Sequence, residues 1–167
     1  EGTFNAAFVP SYSSELALGK KRSKKFANKI FNLLLIGLIL IVLIIEIFMP
    51  SFIFIIAPGF SDNVDKLNLT ITLTRITFPF LLFVSLSSFF SAILNSHNKF
   101  AAAAAAPIVL NIFMILVLFL QSYLNDQLAI YLSYAVTLAG IIQLIFLLFF
   151  VRKFYFPSFT FNFKIDS

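Results

Sequence analysis

The sequence predicts an all-α fold, a polytopic bundle of membrane-spanning helices, on three observations. Of its 167 residues 60% are hydrophobic and 11% charged, whereas about a quarter of an ordinary soluble domain is charged. Apolar runs recur that are long enough to cross a hydrocarbon core of roughly 30 Å at about 1.5 Å per residue. Ten of the twelve Lys and Arg residues fall in three connectors: Lys20, Lys21, Arg22, Lys24, Lys25 and Lys29, then Lys99, then Arg152, Lys153 and Lys164. Connectors facing the cytoplasm carry this excess, so the alternation gives sidedness as well as spans.

Residues 1–19 read as the end of a helix with a polar face of Asn5, Ser11, Ser14 and Glu15, stopped at Gly19. The first complete span covers about 26–56; it is uncharged from Ile30 to Ile45 and interrupted at Met49-Pro50. Ala57-Pro58-Gly59-Phe60 then turns the chain, and the connector 61–66 holds two Asp and one Lys, as the outer face requires. The next span, about 67–96, contains Arg75 and Pro79. It ends in a small, weakly polar face of Ser87, Ser91 and Asn95 at helical spacing, a face suited to meeting another helix.

Lys99 marks an inner turn, and about 101–122 forms a span that opens with six alanines before Pro107. That alanine stretch is expected to pack closely, with Pro107 as a possible kink site. The connector 121–127 has Asp126 and no cation, and the last span, about 128–151, ends at Arg152-Lys153. The tail 154–167 alternates apolar and polar residues and reads as interfacial. One partial helix and four complete spans result, forming one transmembrane domain, with loops 20–25, 97–100 and 152–167 inside. Without an initiating Met, the chain is expected to be an internal piece of a longer protein.

An ionisable side chain at membrane depth is costly and therefore a functional candidate. Glu46 and Arg75 both sit toward the outer half and are placed to approach one another, as a structural ion pair or, for Arg75, beside a hydrated path for an anionic substrate. Asn111 and Gln143 are neutral and suit interhelical hydrogen bonds. His97, beside Lys99, is expected to be a solvated loop residue.

The absence of Cys and the presence of one His exclude thiolate and imidazole-cluster metal sites within these residues. No Ser, His and Asp set, no carboxylate pair within a span and no Gly-rich phosphate loop can be assembled, so neither a catalytic residue nor a cofactor is expected. The basic residues sit at the ends of apolar runs, which points to phospholipid headgroups of the bilayer and not to nucleic acid.

Five stretches in one order and spacing resemble the MurJ (MviN) family of lipid II flippases, of the MOP exporter superfamily. They are Glu1-Gly2-Thr3-Phe4-Asn5-Ala6-Ala7-Phe8-Val9-Pro10; Ala57-Pro58-Gly59-Phe60; Ile76-Thr77-Phe78-Pro79; Ala92-Ile93-Leu94-Asn95 with Asn98-Lys99-Phe100; and Ala106-Pro107-Ile108-Val109-Leu110-Asn111-Ile112. The resemblance implies the stretch from the second half of transmembrane helix 2 to the loop after helix 6. That stretch is part of the N-terminal lobe of a transporter whose two six-helix lobes enclose a cavity of alternating access. It further implies a bacterial inner-membrane protein whose substrate is undecaprenyl-pyrophosphate-linked lipid II, moved to the outer leaflet for peptidoglycan synthesis. The family's loops after helices 2, 4 and 6 are cytoplasmic, the same sidedness that the charges give.

The resemblance implies substrate-binding or gating roles for three residues. Glu1 falls on the acid of the family's Glu-Gly pair at a break in helix 2, Arg75 on a position often basic, and Asn111 on the Asn after the Pro of helix 5. Glu46 matches no family motif, the alanine run is more uniform than usual, and the helices bearing the arginines thought to hold the pyrophosphate lie outside the chain. The alternatives are another MOP exporter, such as a polysaccharide-unit flippase or a multidrug or cation antiporter, an intramembrane enzyme acting on lipid-linked sugars, or a non-transporting scaffold. The motif register disfavours the first, and the missing acid and His constellation disfavours the second.

Overall fold

The computed structural model describes residues 2–60, 63–120 and 127–158, and every regular element among them is helical. Helix α1 (Gly2–Ala17) leads through Gly19 into α2 (Lys20–Ile47). Gly19 has φ 132° and ψ 151°, a region only glycine enters without strain, so two helices meet with almost no loop. The basic cluster 20–25 therefore lies inside α2, where the sequence reading placed a connector. Cations at a helix N-terminus oppose the helix dipole; their placement suits contact with water and headgroups better than helix electrostatics.

A one-residue interruption at Phe48 separates α2 from α3 (Met49–Ile56), with Pro50 in its first turn, and a 3-10 turn spans Pro58–Phe60. Helix α4 (Val64–Thr77) is capped by Asn63, whose Oδ1 accepts from the Lys66 N–H at 3.0 Å. The chain breaks at Phe78-Pro79 and resumes as α5 (Phe80–Ser96), followed by α6 (Phe100–Phe119) and α7 (Leu128–Val151). Among the described residues, α2, α4 with α5, α6 and α7 make four segments long and apolar enough to cross a membrane. The chain is a multi-pass membrane protein.

Helix α5 is the centre of the bundle, touching α1, α2, α6 and α7. Every residue from Leu86 to Leu94 is buried. Ser87 and Ser91, on the small face read from the sequence, are covered, but so is the opposite face with Phe89 and Phe90. What covers it is an aromatic stripe on α1. Phe4, Phe8 and Tyr12, four residues apart, stack at 5.3 and 5.5 Å, and the Phe8 and Phe89 ring centroids lie 5.2 Å apart. Phe31 of α2 and Tyr155 beyond α7 close on Phe89 at 5.6 and 5.8 Å. Aromatic pairs at such separations contribute about 0.5–1.5 kcal/mol beyond their buried area.

Helix α6 lies at the edge, on α7 and α5. Of the alanine run only Ala106 is fully buried, Ala102 packs against the core one turn before it, and Ala101 and Ala104 are exposed, so the run packs along one face. Ile112, Ile115 and Leu116 of α6 and Leu40, Ile41 and Ile44 of α2 face outward, where acyl chains cover them in a bilayer.

A close crossing joins α7 to the start of α5. A Cβ built on Gly140 would lie 2.6 Å from a ring carbon of Phe80 and 3.2 Å from the Phe83 Cβ. The ring can turn aside, but the Phe83 Cβ is fixed to backbone. Gly140→Ala is expected to destabilise the protein by about 1–3 kcal/mol. At Gly37 of α2 no atom lies within 4 Å, so Gly37→Ala is expected to be neutral or stabilising by up to about 1 kcal/mol. Thermal unfolding of the two variants in the same detergent checks the contrast.

Candidate functional site

Two parts of the bundle carry polar groups in positions a membrane protein must explain. The first is the broken span of α4 and α5. Pro79 has no N–H, so the helical ladder fails there, and the turn is remade by Leu81 N–H to Phe78 O at 3.0 Å and Leu82 N–H to Pro79 O at 3.1 Å. The Ile76 carbonyl is taken instead by the Thr137 hydroxyl of α7. Three residues along α7 from Thr137, Gly140 allows the close approach to α5. The break is thus held from outside, by one hydrogen bond and one small residue.

Arg75 occupies the last turn of α4, just before this break, and is exposed. Its cation sits at the helix end that the dipole favours. Glu46 of α2 is the acid on which the Arg75 charge acts, yet no ion pair within 4 Å joins them, and one Glu46 oxygen is buried without a hydrogen-bond partner. The approach read from the sequence is electrostatic and stops short of a salt bridge.

Asn111, one turn after Pro107, is exposed on α6 and makes no hydrogen bond to the described residues, whereas Gln143 is buried in α7. Glu1 lies outside the described residues. The structure therefore makes no contact between Arg75 and Asn111.

The second part is the basic end. The Tyr12 hydroxyl lies 3.3 Å from His97 Nε2. The His97 ring stacks on Phe154 with centroids 4.3 Å apart. The Tyr155 hydroxyl donates to Asn28 Oδ1 at 2.6 Å, and the Ser158 N–H donates to the same oxygen at 3.3 Å. These contacts gather α1, the start of α2, the α5–α6 turn and the segment after α7, so the three basic stretches stand at one end of the bundle.

His97 is thus a half-buried, packed residue and not the solvated loop residue its neighbours Asn98 and Lys99 suggest. Burial, helped by the Lys20 charge, holds its imidazole below the ordinary pKa. Burial likewise pushes the Tyr155 phenol up, with Tyr12 adding to it, which keeps the phenol a donor to Asn28. The surface pair of Arg22 Nε and Glu15 Oε2 at 3.2 Å is too exposed to matter much to stability. Sequence reading missed Tyr12 and Asn28. The stripe of Phe4, Phe8 and Tyr12 at intervals of four was the available signal for Tyr12; Asn28 gives none, because its partner is more than a hundred residues away.

Comparison with known proteins decides what this bundle belongs to. A family model described as "Lipid II flippase MurJ" matches residues 1–166. The chain belongs to the MurJ family. The "Probable lipid II flippase MurJ" of Rickettsia prowazekii (strain Madrid E) is 40% identical over 154 residues, covering 92% of this chain and 30% of the relative. The protein of the same name from Rhizobium tropici is 42% identical over 98% of this chain and 33% of its own length. That of Rhizobium meliloti (strain 1021) is 38% identical over 86% of this chain and 28% of the relative. The chain spans about a third of the length of these curated relatives. Family membership agrees with a polytopic helical bundle, and the relatives' names are those of transporters.

A histidine whose folded pKa lies below its unfolded value binds its proton less readily in the fold. The stability it contributes is present above the unfolded pKa of about 6.5 and is lost as pH falls through the lower folded value. The unfolding temperature in detergent is expected to fall as the buffer is taken from about pH 7.5 to 5.5, and His97→Gln to flatten that part of the profile. Parallel profiles for the two proteins would contradict the packed placement of His97.

Proposed function

We propose that a full-length protein bearing this chain moves lipid II, the undecaprenyl-pyrophosphate-linked peptidoglycan precursor, from the cytoplasmic to the outer leaflet of the bacterial inner membrane by alternating access. The observation that carries this reading is the family match across residues 1–166 in a chain with four segments fit to span a membrane. A diphosphate headgroup does not cross hydrocarbon unaided; the protein offers it a hydrated, cationic route while the prenyl tail stays in lipid. Loops 20–25, 97–100 and 152–167 face the cytoplasm in this arrangement.

Within the chain, Arg75 supplies the cation at membrane depth. It is exposed and its one acidic neighbour stands beyond salt-bridge range, which leaves its donors free for an anionic headgroup. Asn111, outward on α6, offers a neutral hydrogen-bonding group to the same path. Glu1 acts at the gate, as the acid of the Glu-Gly pair. The break at Pro79, held by Thr137 and Gly140, supports a lobe that rocks as packed pieces, since broken helices and small-residue crossings are where transporters move.

In the full-length protein, Arg75→Ala is expected to lower lipid II translocation into the outer leaflet of proteoliposomes by about tenfold or more, the loss of one charge-assisted contact of about 1.5–3 kcal/mol. Arg75→Lys is expected to retain part of the activity. Unaltered translocation by a normally inserted Arg75→Ala protein contradicts the role given to Arg75. Translocation of a lipid-linked polysaccharide unit in place of lipid II contradicts the substrate.

A further inference from the structure

At the basic end, a groove of about 680 Å³ opens between the α5–α6 turn and the end of α7. Its size is that of a pocket for a small-molecule ligand. Its lining divides sharply. Lys99, Arg152 and Lys153 supply three cations; Leu94, Phe100 and Phe149 are among its apolar walls; and among the described residues no Asp or Glu lines it. All three cations are exposed, and among the described residues none has an acidic partner within 4 Å.

These cations are held by built structure. Helix α5 ends in a Schellman turn: the Asn98 N–H bonds Asn95 O at 3.0 Å, and the Lys99 N–H bonds Leu94 O at 2.9 Å. Asn98 takes the left-handed conformation at φ 59° that this turn demands, and so fixes the backbone from which Lys99 projects. At the other wall, the Phe154 and Tyr155 N–H groups both bond Val151 O at 2.9 Å, and the Arg152 guanidinium lies 4.1 Å over the Phe149 ring. The stacked His97 and Phe154 rings tie the two walls together. The first turn of α6, Phe100 to Ala102, adds backbone N–H groups without a capping side chain to the same rim.

We propose that this groove is a binding site for one anionic diacylglycerophospholipid of the inner leaflet. The phosphate meets Lys99, Arg152 and Lys153, and the start of an acyl chain runs along Phe100 and Phe149. Charge complementarity chooses the occupant. A zwitterionic phospholipid brings its own cation to a rim that already holds three, and an apolar partner leaves those cations without counter-charge. Free phosphate uses the rim but leaves the apolar walls wet. A basic pocket between spanning helices at this level has the chemistry that recognises an acidic headgroup. The site is independent of whatever headgroup the cavity transports.

The chain has no Cys, so Ala101→Cys in an otherwise Cys-free full-length protein places one fluorophore at the rim and keeps the Phe100 wall. The probe is quenching by brominated phosphatidylglycerol or brominated phosphatidylcholine at equal mole fraction in vesicles. Phosphatidylglycerol is expected to show an apparent association constant about fivefold higher or more. The ratio is expected to fall to near one in the Lys99→Gln, Arg152→Gln, Lys153→Gln protein and to survive in the charge-keeping Lys99→Arg, Lys153→Arg protein. Millimolar inorganic phosphate is expected to leave the quenching unchanged. Equal quenching by the two lipids overturns the proposal. So does a preference that persists in the Gln variant, quenching by neither lipid, or loss of quenching on adding phosphate.

Discussion

The cost of carrying a charged or unpaired polar group into hydrocarbon shapes this molecule before any side-chain contact does. Backbone groups are satisfied inside helices because lipid offers them no partner, and cations stay at the helix ends because membrane depth penalises them. The chain turns beside three of its basic stretches, at Gly19, at Asn98 and after Val151. These turns meet at one end of the bundle, where Tyr12, His97, Phe154, Tyr155 and Asn28 hold four stretches of chain together. The aromatic stack around Phe89 carries that grip inward.

The same cost explains the exceptions. Where Pro79 opens the ladder within a span, Thr137 of the neighbouring helix takes the Ile76 carbonyl, so no water is needed at that point. Gly140 brings α7 close enough to α5 for this to work. Arg75 stands beside the break, exposed, with Glu46 beyond pairing distance. The break at Pro79, the close approach at Gly140 and Arg75 thus lie near one another along α4, α5 and α7.

The spans were legible because they depend on composition and period, quantities that a linear reading samples directly. The Asn63 cap and the break at Pro79 were not read from the sequence, which gave one continuous span over about 67–96, although the capping oxygen and the missing N–H both act within a turn of themselves. Contacts between distant stretches were not legible. His97 looked solvated because its neighbours are polar, whereas Phe154 and Tyr12, far off in sequence, bury it. The basic cluster 20–25 looked like a connector because charge marks a membrane surface without saying whether the backbone there is helical. The alanine run packs as a seam on one face only: Ala106 is buried and Ala102 rests on the core, while Ala101 and Ala104 are exposed. Of the candidate site, Arg75 could be singled out as a charge in an apolar run; the absence of a salt bridge to Glu46 could not, because it depends on how α2 and α4 are set.

The basic stretches at Lys21, Lys99 and Lys153 share one end of the bundle, and the proposed direction of transport puts that end in the cytoplasm. Single cysteines at Lys21, Lys99 and Lys153, with a fourth at Val64, test it directly in the full-length protein made Cys-free. A membrane-impermeant maleimide applied to intact spheroplasts is predicted to label Val64→Cys alone and, after lysis, to label all four. Labelling of Lys99→Cys or Lys153→Cys in intact spheroplasts while Lys21→Cys stays protected would contradict the account.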